Sequence, residues 1–121
     1  MGDELSVTVR SERGVVIAAV AGDIDLSTVA GLRERLSGLV DSGQPLILDL
    51  NRVTFIDSTG LGVLIGAARR AAAHGASVHA VCSRPQTRQL LWLTGVDRRI
   101  PLTATVDGAL TLMAASGDAP G

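Results

Sequence analysis

Three short apolar runs, VVIAAVAG (15–22), PLILDL (45–50) and SVHAV (77–81), alternate with segments whose apolar residues recur at helical spacing. A strand covered on both faces reads as a near-continuous apolar run, and parallel strands are joined by crossovers that are usually helical. The alternation therefore calls for an α/β domain in which a mostly parallel sheet is built strand by strand with helices packed against it.

The remaining elements fit that plan. LSVTVR (5–10) alternates apolar and polar residues, and SERG (11–14) offers a turn into the first apolar run, so the chain opens with a β-hairpin. DIDLST (23–28) supplies N-caps near Ser27 or Thr28 for a first helix, with Val29, Leu32, Leu36, Leu39 and Val40 inward, that Gly43 and Pro45 end. After PLILDL, NRVTFID (51–57) reads as a loop. The second helix then carries Leu61, Leu64, Ile65, Ala68 and Ala72 inward, shows Gly62, Gly66 and Arg69 on another face, and closes at His74 and Gly75. Pro85 opens a third helix, with Leu90, Leu91 and Leu93, that stops at Gly95. Ile100–Leu102 reads as a brief strand and Val106–Ala115 as a last helix with Leu110 and Met113 inward. The order is ββαβαβαβα, a mixed, mostly parallel sheet of four to five strands in one domain over residues 1–115, with a flexible tail at 116–121.

Composition narrows the chemistry. All eleven cationic residues are Arg, which removes a P-loop lysine and Schiff-base catalysis. Aromatic residues are 2% of the chain and the net charge is −1, so neither base stacking nor general attraction to phosphate backbones is expected. Cys82 ends an apolar strand as a buried thiol without a disulfide partner, which fits a reducing cytoplasm. MGDELSV lacks the basic and apolar regions of a signal peptide, and no apolar run approaches the roughly 20 residues that span a bilayer. One Cys and two separated His residues do not make a zinc set, and loop carboxylates such as Asp23, Asp25 and Asp57 more commonly cap helices than hold a cation. No dinucleotide fingerprint is present, and no metal or cofactor is implied.

The chemically distinctive stretch is FIDSTGLG (55–62), where an apolar segment meets a helix start containing two glycines. Each glycine costs about 1 kcal/mol relative to alanine inside a helix, so either close packing or a close partner must compensate. A hydrolase reading would make Ser58 a nucleophile, but Ile56 stands where the G-x-S-x-G elbow needs its first glycine, and neither His74 nor His79 is placed to act as base. Two readings of Ser58 stay open. It is a helix N-cap, or it is a hydroxyl open to a kinase at a helix start whose free N–H groups tolerate an anion.

The segments GDIDLSTV (22–29), LILDLNRVTFIDSTGLGVLI (46–65) and LLWLTGVDRRIPL (90–102) together resemble bacterial anti-sigma factor antagonists of the single-domain STAS family. The resemblance implies a non-enzymatic cytoplasmic regulator of transcription that works by partner switching. The unmodified antagonist binds an ATP-binding anti-sigma factor serine kinase, releasing the sigma factor. Phosphorylation at Ser58 ends that binding, and a serine phosphatase restores it. Asp23 matches the acidic position before the first helix and by resemblance contributes to kinase contact, and with Asp57, Ser58, Thr59, Gly60 and Gly62 it makes up the expected partner surface; Asp23 also reads as a loop or capping carboxylate. Thr59 is a second candidate for modification. No contact with nucleic acid or membrane is implied. The alternative is an unphosphorylated STAS module that senses a ligand or scaffolds a signalling complex. Trp92 stands where the family commonly has a polar residue; packing against the last helix is expected, with exposure to a partner as the alternative.

Overall fold

A computed structural model describes residues 4–119. Strand β1 (Ser6–Glu12) and strand β2 (Val15–Ile24) form an antiparallel hairpin running from Ser6 opposite Ala21 to Glu12 opposite Val15. Its two turn residues, Arg13 and Gly14, both take positive φ (53° and 77°), the left-handed pair that matches the twist of a tight hairpin. Helix α1 (Val29–Val40), strand β3 (Leu46–Ile56), helix α2 (Ser58–Ala73), strand β4 (Val78–Val81), helix α3 (Pro85–Leu93), a 3-10 turn (Val96–Arg98), strand β5 (Leu102–Thr103) and helix α4 (Val106–Ala115) follow. The five strands lie side by side in chain order, and every pairing after the hairpin is parallel.

Crossovers of one hand that always advance in the same direction must leave their helices on one face of the sheet. The buried residues agree. Val29, Leu32 and Leu36 of α1, Leu61, Val63 and Leu64 of α2, and Leu91 of α3 share one aliphatic core with Val16, Ala18, Leu46 and Leu48 of the sheet. α4 covers the other face, where Ala109, Leu110 and Met113 meet Val15, Ile17, Ile47 and Val81. Cys82 is buried at the end of β4 as expected. Neither core contains an aromatic ring, and the chain's Phe55 and Trp92 are both at the surface.

Several expectations are corrected. NRVTFID is not a loop through Ile56, because β3 runs on, pairing Arg52 with Ala21, Val53 with Gly22, Phe55 with Asp23 and Ile56 with Ile24. Two register shifts, opposite Ala19–Ala21 and opposite Gly22–Asp23, each place an extra residue on β3 and, with Gly22 at φ 99°, let the pairing continue while Val53 and Ile56 stay inward. This half of β3 extends past β4, and its open side is closed by side chains. The Ser83 N–H and hydroxyl donate to Asn51 Oδ1 at 2.8 and 3.0 Å, and the Arg84 guanidinium donates to the Val53 carbonyl.

On α2 the inward arc is Gly60, Leu61, Val63, Leu64, Ala67 and Ala71, whereas Ile65 is only half-buried and Ala72 is exposed. The arc is turned toward α1, which α2 also packs against. Trp92 and Leu93 do not pack inward: both are 65% exposed. Leu91 alone of the nine α3 residues is fully buried, and Val96 and Ile100 fill the core beyond it. β5 begins two residues later than expected for the same reason, since Ile100 belongs to that core. Of the segment expected as a tail, Ser116–Ala119 turn back on α4. The Asp118 and Ala119 N–H groups donate to the Met113 carbonyl at 2.8 and 3.2 Å, and the Asp118 carboxylate meets the buried His79 Nε2 at 3.0 Å. Pro120 and Gly121 lie outside the described residues.

Candidate functional site

The carboxyl ends of β2 and β3 place the β2–α1 loop beside the start of α2. Asp57 is the hinge of this edge. Its N–H donates to the Ile24 carbonyl at 3.1 Å, holding it in extended register with β2, and its side chain then caps the helix by accepting from the Gly60 N–H at 3.0 Å. The cap is therefore Asp57 and not Ser58. Ser58 is the first helical residue and is exposed, and among the described residues no group hydrogen-bonds its hydroxyl. Thr59 is also exposed, but its hydroxyl donates to Asp57 Oδ1 at 2.5 Å. Of two adjacent hydroxyls, one is engaged and one is free.

The glycine puzzle has two answers. A Cβ on Gly60 would lie 2.5 Å from Ile24 Cγ2 and 2.9 Å from Ile56 Cγ1, so Gly60 lets the helix start sit directly on the strand ends. It is buried, and its part in the expected partner surface is one of packing. A Cβ on Gly62 or on Gly66 would meet nothing within 4 Å. These two line an open groove of about 160 Å³ between α1 and α2, rimmed by Arg33, Ser37 and Arg70.

Asp23 lies on the same sheet edge as Ser58, opposite Phe55 in register, and its carboxylate accepts from the Thr54 hydroxyl at 2.6 Å. Asp25 braces the loop by accepting from the N–H and hydroxyl of Ser27 at 2.9 and 2.6 Å. The Thr28 hydroxyl makes no helix cap and instead donates to the Asp23 carbonyl at 2.8 Å. The Ser27 hydroxyl is the main cause holding the Asp25 carboxyl below the ordinary aspartate range; the Thr59 hydroxyl, then the Gly60 N–H, do the same for Asp57. Among the described residues, none of Asp23, Asp25 and Asp57 has a cationic group within salt-bridge distance. Two large apolar side chains stand beside them, Leu26 at 78% and Phe55 at 53% exposure. Neither was expected at the site. A lone Phe in an aromatic-poor chain and a Leu between acidic and hydroxyl loop residues were the available signals.

The histidines are elsewhere. His74 lies 3.3 Å from Asp41 at the far end of α2, and His79 is buried against Asp118. Among the described residues no three His, Cys, Asp or Glu side chains are grouped to hold a metal, and no helix is long and apolar enough to cross a membrane. The edge thus offers a free hydroxyl and a preorganised acidic and apolar surface, an arrangement suited to recognition and to modification at one atom.

Residues 6–109 match the STAS domain family. The chain is 35% identical to the anti-sigma-F factor antagonist RsfB of Mycobacterium tuberculosis over 90% of its length and 89% of the relative's. It is 29% identical to the anti-sigma-B factor antagonist of Bacillus subtilis, over 88% and 97% of the two chains. A crystal structure of an anti-sigma factor antagonist from Mycobacterium paratuberculosis superposes with a TM-score of 0.83 at 32% identity, covering 90% of this chain and 93% of that one.

Proposed function

This chain belongs to the STAS family of anti-sigma factor antagonists, and on that premise we propose that it works by partner switching in the cytoplasm, as a binding protein and kinase substrate and not as an enzyme. Unmodified, it docks the edge around Ser58 on an anti-sigma factor serine kinase and frees the sigma factor. The kinase then transfers the γ-phosphoryl group of ATP to Ser58 Oγ, with ADP leaving and the hydroxyl proton passing to a base on the kinase. A serine phosphatase hydrolyses the ester and resets the switch.

The observation that carries this reading is the Ser58 hydroxyl, exposed and, among the described residues, unengaged on the first residue of a helix whose cap is supplied by Asp57. Because the cap does not depend on Ser58, modification need not unravel α2, and the free N–H groups of the helix start tolerate the new anion. The effect falls on the surface instead. A phosphate brings about −1.5 to −2 charges at pH 7 beside Asp57 and Asp23, with bulk that a closely docked partner must accommodate. Asp23, Asp57, Thr59 and Gly62 frame the docking edge, and Gly60 sets the height of the helix start above Ile24.

The test is incubation with an anti-sigma factor kinase of the same genome and ATP, followed by mass spectrometry of the peptide containing Ser58 and Thr59. Phosphate on Ser58, with loss of the complex, is the expected result. A wild-type chain that takes up no phosphate would favour the ligand-sensing or scaffold module instead.

A further inference from the structure

Leu26 and Phe55 are prominent apolar side chains on an otherwise polar edge, and among the described residues no cation lies within salt-bridge distance of the edge's three carboxylates. Isolated exposed apolar residues are common and need no explanation. These two are set apart by position. Leu26 lies two residues beyond Ile24, whose carbonyl accepts from the Asp57 N–H, and Phe55 pairs in register with Asp23, so both side chains arise from the segments that frame Ser58. The loop carrying Leu26 is braced through Asp25, Ser27 and Thr28, so little ordering remains to be done when a partner binds.

We infer that Leu26 and Phe55 are the apolar anchors of the partner interface, and that the matching face of the anti-sigma factor is an apolar socket bordered by basic side chains. This rests on the function proposed above and adds to it the chemistry of the partner's surface. Charge complementarity specifies the border. Among the described residues, Asp23, Asp25 and Asp57 have no cation within salt-bridge distance, although the chain as a whole is nearly neutral at −1. A partner that covered them with apolar or acidic groups would leave charges buried and unpaired, whereas basic groups at the rim steer and orient it. The centre of the contact is then salt-insensitive and the rim salt-sensitive.

The experiment titrates the anti-sigma factor kinases of the source genome, each purified with ADP, against the wild-type chain by calorimetry, and carries forward the kinase that binds. Leu26→Ser and Phe55→Ser should each weaken binding at least about ten-fold while leaving the salt dependence as in wild type. Asp25→Asn keeps the acceptor for Ser27 but removes the charge, so it should flatten the salt dependence. Trp92→Ser, on α3, should bind as wild type does. Melting curves check folding, and Leu26, being on a loop, preserves the test if Phe55→Ser melts early. Wild-type affinity in both apolar variants would overturn the anchors, and affinity that rises with salt would overturn the basic border. If no kinase binds the wild-type chain, the proposed function fails and the inference falls with it.

Discussion

The Thr59 hydroxyl donates to the Asp57 carboxylate at 2.5 Å, while the neighbouring Ser58 hydroxyl has no such bond among the described residues. A kinase must detach Thr59 from a charged acceptor before phosphorylating it, and has no such bond to break at Ser58. Phosphate uptake should therefore vanish in Ser58→Ala and persist in Thr59→Ala. The opposite pattern in a labelled-ATP assay would move the switch by one residue.

The separation of cap from acceptor gives a stability prediction. Ser58→Ala removes an exposed hydroxyl and should change stability by less than about 0.5 kcal/mol. Asp57→Ala strips the cap and should lower Tm by roughly 3–6 °C. The Asp57 carboxyl is held below its ordinary range first by the Thr59 hydroxyl and then by the Gly60 N–H, so its contribution is present at neutral pH. It is lost as the pH falls through that lowered value. Acid unfolding of Asp57→Asn should show a shallower dependence on pH than wild type, measured by circular dichroism.

Opposite signs are expected for Gly60 and Gly62, two positions apart on α2. Gly60→Ala drives a methyl to 2.5 Å from Ile24 Cγ2 and 3.1 Å from the Ile24 carbonyl, an overpacking that should cost about 1–3 kcal/mol. Gly62→Ala meets nothing within 4 Å and should gain up to about 1 kcal/mol from helix propensity. Gly62→Leu should weaken kinase binding more than it changes Tm. Chemical denaturation of the three variants checks the signs.

The carboxyl-terminal turn should matter more than its composition suggests. Asp118→Ala leaves the buried His79 Nε2 without its partner at 3.0 Å, and should cost about 1–3 kcal/mol as an unsatisfied buried polar group. Asp107→Ala, exposed at the start of α4, serves as the comparison.

Much of the architecture was legible because periodicity reports burial. The hairpin, the parallel runs and the inward residues of α1 and α4 all follow from it. The far half of β3 was not legible, because Asn51 and Arg52 look like loop residues unless the length of β2 is known. The inward arc of α2 was turned from expectation by its contact with α1, a tertiary fact. At the site, FIDSTGLG pointed to the correct helix start, yet whether Asp57 or Ser58 caps it depends on the bond from Asp57 to Ile24 across the sheet. Leu26 and Phe55 were missed because an exposed apolar side chain and a buried one look alike in sequence.

Trp92 is the only tryptophan and the chain has no tyrosine, so the ultraviolet emission of this protein comes from one indole standing in solvent on α3. Unfolding scarcely alters the surroundings of such a ring, and intrinsic fluorescence will be a poor thermometer for the fold. The same circumstance makes it a clean reporter of location: a partner seated on the Ser58 edge leaves the indole wet and its emission unshifted, whereas a blue shift on mixing would mean that the complex reaches across to α3.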